Sequence, residues 1–168
     1  MSLIDTNDHV VAGLIHYPGP RQVVTLEKVT ADVIPKGALL FNDTGSSKKW
    51  KVTGTAGAEK GPYAVAVKAA ANGDTRVHAV VGGAIVTVTA DGAIPQGDWV
   101  KPSASTAGQV QVWSAPSGAV VTDTVALGDL FLRVGKYIKQ GNSVPMGDGV
   151  TAVTDAADGD IIEIQLAD

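Results

Sequence analysis

The chain has no cysteine among its 168 residues. This excludes a disulfide framework, a thiolate nucleophile and thiolate metal sites together. Aromatic residues are scarce too, 5% against 45% hydrophobic, so a core has to be assembled from valine, alanine, isoleucine and leucine. No apolar run is long enough to cross a bilayer as a helix, each being broken by glycine, proline or charge. The expectation is a soluble chain with no membrane partner. The opening "MSLIDTNDHVVAGLIHY" has no basic start, and Asp5, Asp8 and His9 stand where a signal peptide carries its apolar run. An unprocessed protein made in a reducing cytoplasm is expected. Positive charge is in the minority, 13 Lys and Arg against 17 Asp and Glu, and it forms no stripe. Without that stripe the release of counterions that drives nucleic-acid binding is missing, so nucleic acid is not an expected partner.

Glycine and proline, 20 and 8 residues, are spread evenly enough that no window for a long amphipathic helix survives between them. What remains is a series of short runs rich in Val, Ile and Thr. In "GAIVTVTA", Ala84, Val86 and Val88 share one face while Ile85, Thr87 and Thr89 share the other. "IIEIQL" sets Ile162, Ile164 and Leu166 against Glu163 and Gln165, and "QVQVW" alternates through Val110 and Val112. Period two is the signature of half-buried strands. The strongest helical competitor, "YAVAVKAAANGD", has Val65 and Val67 in alternation and a closing Gly73, and leaves room for one or two turns of helix at most.

The chain also repeats itself. "TADVIPKGALLF" at 30–41 returns as "TADGAIPQGDWV" at 89–100, with Gly92 as an extra residue. Both copies read as a strand ending in Thr-Ala-Asp, an extended residue before proline, a Pro-x-Gly turn and a second strand. A second echo joins "KAAANGDTRVHAV" at 68–80 to "TDAADGDIIEIQL" at 154–166, and a fainter Pro-x-Gly lies in "SVPMGDG" at 143–149. The expected architecture is two related strand-turn-strand modules in one all-β domain.

The ordered set "IPKGALLFNDTG", "GPYAVAVKAAANGD", "GGAIVTVTADGAIPQGDWVKPSASTAGQV", "LRVGKYIKQG" and "AADGDIIEIQL" resembles the phage capsid cement, or head decoration, proteins. The resemblance runs from about Val23 to the C-terminus, while 42–60 and 114–126 are longer than the family's usual connections. It implies a β-tulip or related barrel-like fold, no catalytic activity and no cofactor. It further implies a place on the outer capsid surface of a virion, with the major capsid protein as partner and a homotrimer as the usual assembly. An N-terminal segment that grips the shell belongs to the same expectation.

The residues offer few other sites. His9, His16 and His78, with Asp5 and Asp8, are the only nitrogen-and-oxygen metal candidates, and they lack the helix that would bring them together, so solvated or packing roles are expected. Asp155, Asp158 and Asp160 lack the spacing of a calcium loop and read as a polar turn. No nucleophile elbow, phosphate loop or zinc-protease motif occurs. The stretch 1–22, with its "YPGPR", reads as an extended arm ahead of a β-rich domain at 23–168, and Asp5, His9, His16, Tyr17, Pro18, Pro20 and Arg21 are its candidate capsid-binding residues. Core packing is the ordinary role of Trp50, Trp99 and Trp113. The candidate oligomer contact is Trp99, which follows the Gly97-Asp98 turn. The rival readings are a head-fibre or receptor- or glycan-binding β module, recognising through 42–60 and 114–126, and an enzyme of unadvertised class.

Overall fold

The computed structural model describes residues 23–43, 48–114, 132–140 and 155–167. The expected division at residue 22 and the "SVPMGDG" turn lie outside them. Among the described residues there is no helix, and the expected all-β class holds. The first half contributes β1 (Val23–Glu27), β2 (Leu39–Asn42), β3 (Trp50–Val52), β4 (Tyr63–Ala66) and β5 (Arg76–Val80). The second contributes β6 (Ile85–Thr89), β7 (Trp99–Pro102), β8 (Val110–Val112), β9 (Gly135–Gln140) and β10 (Ile161–Leu166).

Each half is one sheet, ordered β1-β5-β4-β2-β3 in the first and β6-β10-β9-β7-β8 in the second. Counting strands within each half, the two orders are identical, so the repeat in the sequence is a repeat of topology. Each sheet also curls until its edges meet. The residue after β1, Lys28, makes a parallel bridge to Trp50 on β3, and the residue after β6, Ala90, makes one to Val110 on β8. One bridge thus pins the two edge strands of each sheet together at that end.

The Ile-Pro turns are equivalent down to single hydrogen bonds. Ile34 exchanges both backbone bonds with Ala70 at 2.9 Å, and Ile94 does so with Ala156 at 3.0 Å. The amides of Ala38 and Asp98 then donate to the carbonyls of Pro35 and Pro95, each at 3.2 Å. The second echo is as close: Asp74 and Asp160 each accept from the amide three residues earlier, Ala71 and Ala157, at 2.7 Å. The Thr-Ala-Asp match, however, is out of register. Thr89 ends β6, whereas Thr30 sits in a turn beyond the bridge at Lys28. The passage from seam to Ile-Pro bridge spans 28–34 in the first module and 90–94 in the second, so the second is the shorter despite Gly92.

The longer passage is filled by a charge. Lys28 is fully buried, and its Nζ donates to the carbonyl oxygens of Val29, Thr30 and Asp32 at 3.0, 3.2 and 2.7 Å. A buried ammonium is tolerable only where such acceptors replace its hydration.

Inside the first sheet Ile34, Leu40, Ala64, Ala66, Ala70, Val77 and Ala79 form their own apolar cluster. The alanine-rich stretch is therefore β4 and a bend rather than turns of helix. Alternate small side chains fill a narrow interior, and that use outweighs the helical propensity of alanine. The second cluster joins the interior of the second module to Leu39, Tyr63, Val65 and Val80, which face outward from the first. Backbone bonds cross between the modules as well: Leu39 N–H donates to Gly108 O at 2.8 Å, and Gly108 N–H to Thr53 O at 3.1 Å.

Two stability tests follow from these contacts. Gly97 has φ 86 and open space where a side chain would stand, whereas Gly108 has φ 77 and a Cβ there would come within 3.0 Å of Val52 Cγ1 and 3.2 Å of Ala38 Cβ. Gly97→Val should cost about 1 kcal/mol from backbone strain alone, and Gly108→Val about 2 kcal/mol or more in urea denaturation, because strain and a clash between modules add. Lys28→Met keeps the stem and deletes the three charge-assisted bonds, and should lower stability by about 2 kcal/mol or more in the same measurement.

Candidate functional site

The sheets' matching registers define matching outward rows. In the first module one row runs Thr53, Leu39, Val65, Val80, Val23 across five strands or their ends. Its counterpart in the second module runs Trp113, Trp99, Lys136, Gln165, Ile85. The bond that defines the first pair is conserved in geometry: Thr53 N–H donates to Leu39 O at 3.0 Å, and Trp113 N–H to Trp99 O at 2.7 Å.

The two rows differ in burial. Thr53, Leu39, Val65 and Val80 are each no more than 1% exposed, because the second module covers them. In the second row Trp99 and Trp113 are half-buried, and Lys136 and Gln165 are exposed. The guanidinium of Arg133 lies over both indoles, its central carbon 5.0 Å from the Trp99 ring and 4.0 Å from that of Trp113. Cation–π attraction of this kind fixes the two rings as one platform. The result is a rigid aromatic face edged by cations.

No family model matches the chain, and no curated protein sequence matches it. Among solved structures it is similar to the N base of head fiber gp8.5 of bacteriophage phi29, with a TM-score of 0.52 at 17% identity. The likeness extends over 87% of this chain and 95% of that one. At this identity what is shared is the fold.

Among the described residues, the candidates named from the sequence are not brought into one site. Asp5, His9, His16, Tyr17, Pro18, Pro20 and Arg21 lie outside the described residues, as does 115–131. His78 stands on the exposed side of β5, with its Nδ1 3.2 Å from Thr25 Oγ1. Asp155 and Asp158 hold the second Ile-Pro turn, accepting from the amides of Gln96 at 3.3 Å and Gly92 at 3.1 Å. Trp99, the candidate oligomer contact, is half-buried, with Arg133 over its ring. Arg133 and the partnership of Trp99 with Trp113 were missed, although the alternation of "QVQVW" places Trp113 on an outward face.

A second network, also absent from the sequence reading, supports the contact between modules. Asp91 Oδ2 accepts from the hydroxyls of Ser103 and Ser105, the latter at 2.7 Å. Ser103 Oγ in turn accepts from the amides of Ser105 and Thr106 at 2.9 and 2.8 Å, shaping the turn that carries Gly108 onto the first module. The Ser103 hydroxyl, then that of Ser105, holds the Asp91 carboxyl below its ordinary range. A carboxylate with a lowered folded-state pKa contributes stability above its unfolded value, near ~3.9, and loses it as pH falls through the folded value. Asp91→Asn should therefore lower the melting temperature at neutral pH, and the gap from the unsubstituted protein should narrow below about pH 4. Thermal melts at a series of pH values check both.

Proposed function

We propose that the chain is a structural protein of a phage head, bound to the outer surface of the assembled shell and stabilising it across capsomer boundaries. The observation that carries this reading is the likeness in fold, over nearly the whole of both chains, to the base of a phage head fiber. The ordered motifs that resemble the head decoration proteins point to the same location. The partner in this reading is the major capsid protein, and the arm at 1–22 supplies part of the grip by pairing in extended form along the shell. A protein that binds the closed lattice better than the opened one stabilises the lattice. Bridging two capsomers makes each second contact intramolecular, so weak contacts add to a strong shell.

A second reading takes its cue from the similar structure, the N base of a head fiber: here the chain would hold a fibre to the head rather than cement the shell. The two readings separate in one experiment. Purified protein is mixed with expanded, undecorated heads, pelleted, and the loaded heads are heated. Cement co-sediments and raises the temperature at which heads open; a fibre base co-sediments and leaves that temperature unchanged. Protein that stays in the supernatant overturns both. Removing residues 2–20 should weaken the binding about tenfold or more, which corresponds to the loss of ~1.4 kcal/mol, while leaving the melting temperature of the free protein nearly unchanged.

A further inference from the structure

The strand pairs β1–β5 and β6–β10 hold the same place in the two modules, yet their outward faces differ. In the second module Thr87 stands opposite Glu163, and the two are 0% and 2% exposed. In the first the corresponding pair is Thr25 and His78, and both are exposed. Here the surface is hollowed into a cleft of about 450 Å³, lined by Thr25, Glu27, Thr75 and Arg76. No apolar side chain is in that lining, and the volume falls within the roughly 300–1,000 Å³ of small-molecule sites. The charges of the cleft do not cancel among themselves. Glu27 and Arg76 are directly opposite in register, but Glu27 Oε1 is 3.1 Å from Lys49 Nζ. Lys49 therefore offsets Glu27, and the guanidinium of Arg76 has no ion-pair partner among the described residues. Thr25 Oγ1 lies 3.2 Å from His78 Nδ1, a contact that orients its hydroxyl.

We infer that this cleft binds an acidic sugar, a saccharide unit with one carboxylate among its hydroxyls. The planar fork of Arg76 matches a carboxylate, and one uncompensated cation balances one negative charge. A doubly charged phosphate would leave excess negative charge beside Glu27. The cleft is larger than a carboxylate needs, and with this lining the rest of the ligand has to be polar. The hydroxyls of Thr25 and Thr75 both donate and accept, and the Glu27 carboxylate accepts, which suits the hydroxyls of a sugar ring. An acidic peptide fits less well. Between β1 and β5 the backbone groups already bond to one another, so an extended chain laid in the cleft finds no ladder to join. The inference gives the glycan-binding reading a site, on β1 and β5 with Lys49 reaching Glu27, and it is independent of the shell reading.

Nuclear magnetic resonance titration of the isotope-labelled full chain, without heads, tests it. Glucuronic acid and N-acetylneuraminic acid are the probes, with glucose, acetate and triglutamate as controls. At least one acidic sugar should saturate at millimolar concentration and shift the amides of Thr25, Glu27, Thr75 and Arg76. Glucose lacks the carboxylate and acetate lacks the hydroxyls, so each should bind about tenfold more weakly or worse. Arg76→Ala should weaken the sugar about tenfold or more and leave the circular dichroism and urea midpoint unchanged, since the side chain is exposed. Arg76→Lys should recover part of the loss, because it keeps the charge without the fork. Thr25→Val, which keeps the shape and removes the hydroxyl, should weaken binding severalfold. Absence of shifts with both acidic sugars overturns the inference, and so does binding indifferent to Arg76→Ala. Acetate binding as tightly as the sugars would reduce the site to a carboxylate contact, and triglutamate doing so would assign it to a protein partner; either result overturns it equally.

Discussion

A sheet that curls until its first and last strands touch has a single interior, and the width of that interior decides what can stand in it. Here one parallel bridge in each half closes the curl, Lys28 with Trp50 and Ala90 with Val110. Inside the first half the space admits Ala64, Ala66, Ala70 and Ala79 beside a few larger aliphatic groups. The scarcity of aromatic residues is the compositional side of the same constraint. The Ile-Pro turns, the aspartate-capped turns and the buried Lys28 all serve to bring the chain back to that seam at the right distance.

Much of this was legible. Period-two alternation located β6, β8 and β10, because one face of each is apolar and the other is not. The Pro-x-Gly and Gly-Asp turns exposed the repeat, because proline fixes φ and glycine accepts positive φ wherever the same turn is built. The stretch at 63–66 was harder to read. All of Tyr63, Ala64, Val65 and Ala66 are buried, so a strand covered on both faces shows no polar alternation, and its alanines favour helix. The strand β3 was lost inside a long connection for a different reason: three residues carry too little pattern to declare a strand. The false register of Thr-Ala-Asp arose because identical letters were matched where the physical equivalence lies in the bridge positions.

The aromatic face was half legible. Trp99 could be placed after a turn, but nothing local in the sequence joins it to Trp113 and Arg133, which reach it from β8 and from the approach to β9. Only the pairing of β7 with both β8 and β9 in the second sheet makes them neighbours. The repeat also sets Leu39 and Trp99 at one position, buried in the first module and half-buried in the second.

The two apolar clusters also differ in what each needs from the other half of the chain. The first is composed wholly of residues from the first module, whereas the second needs Leu39, Tyr63, Val65 and Val80 from the first module to complete the interior of the second. Among the described residues every strand pairing stays within its own half of the chain. As the polypeptide leaves the ribosome, the first module can therefore finish its core before the second has been made, and the second then condenses against a surface already in place. The dependence of the second core on the first runs in the direction of synthesis.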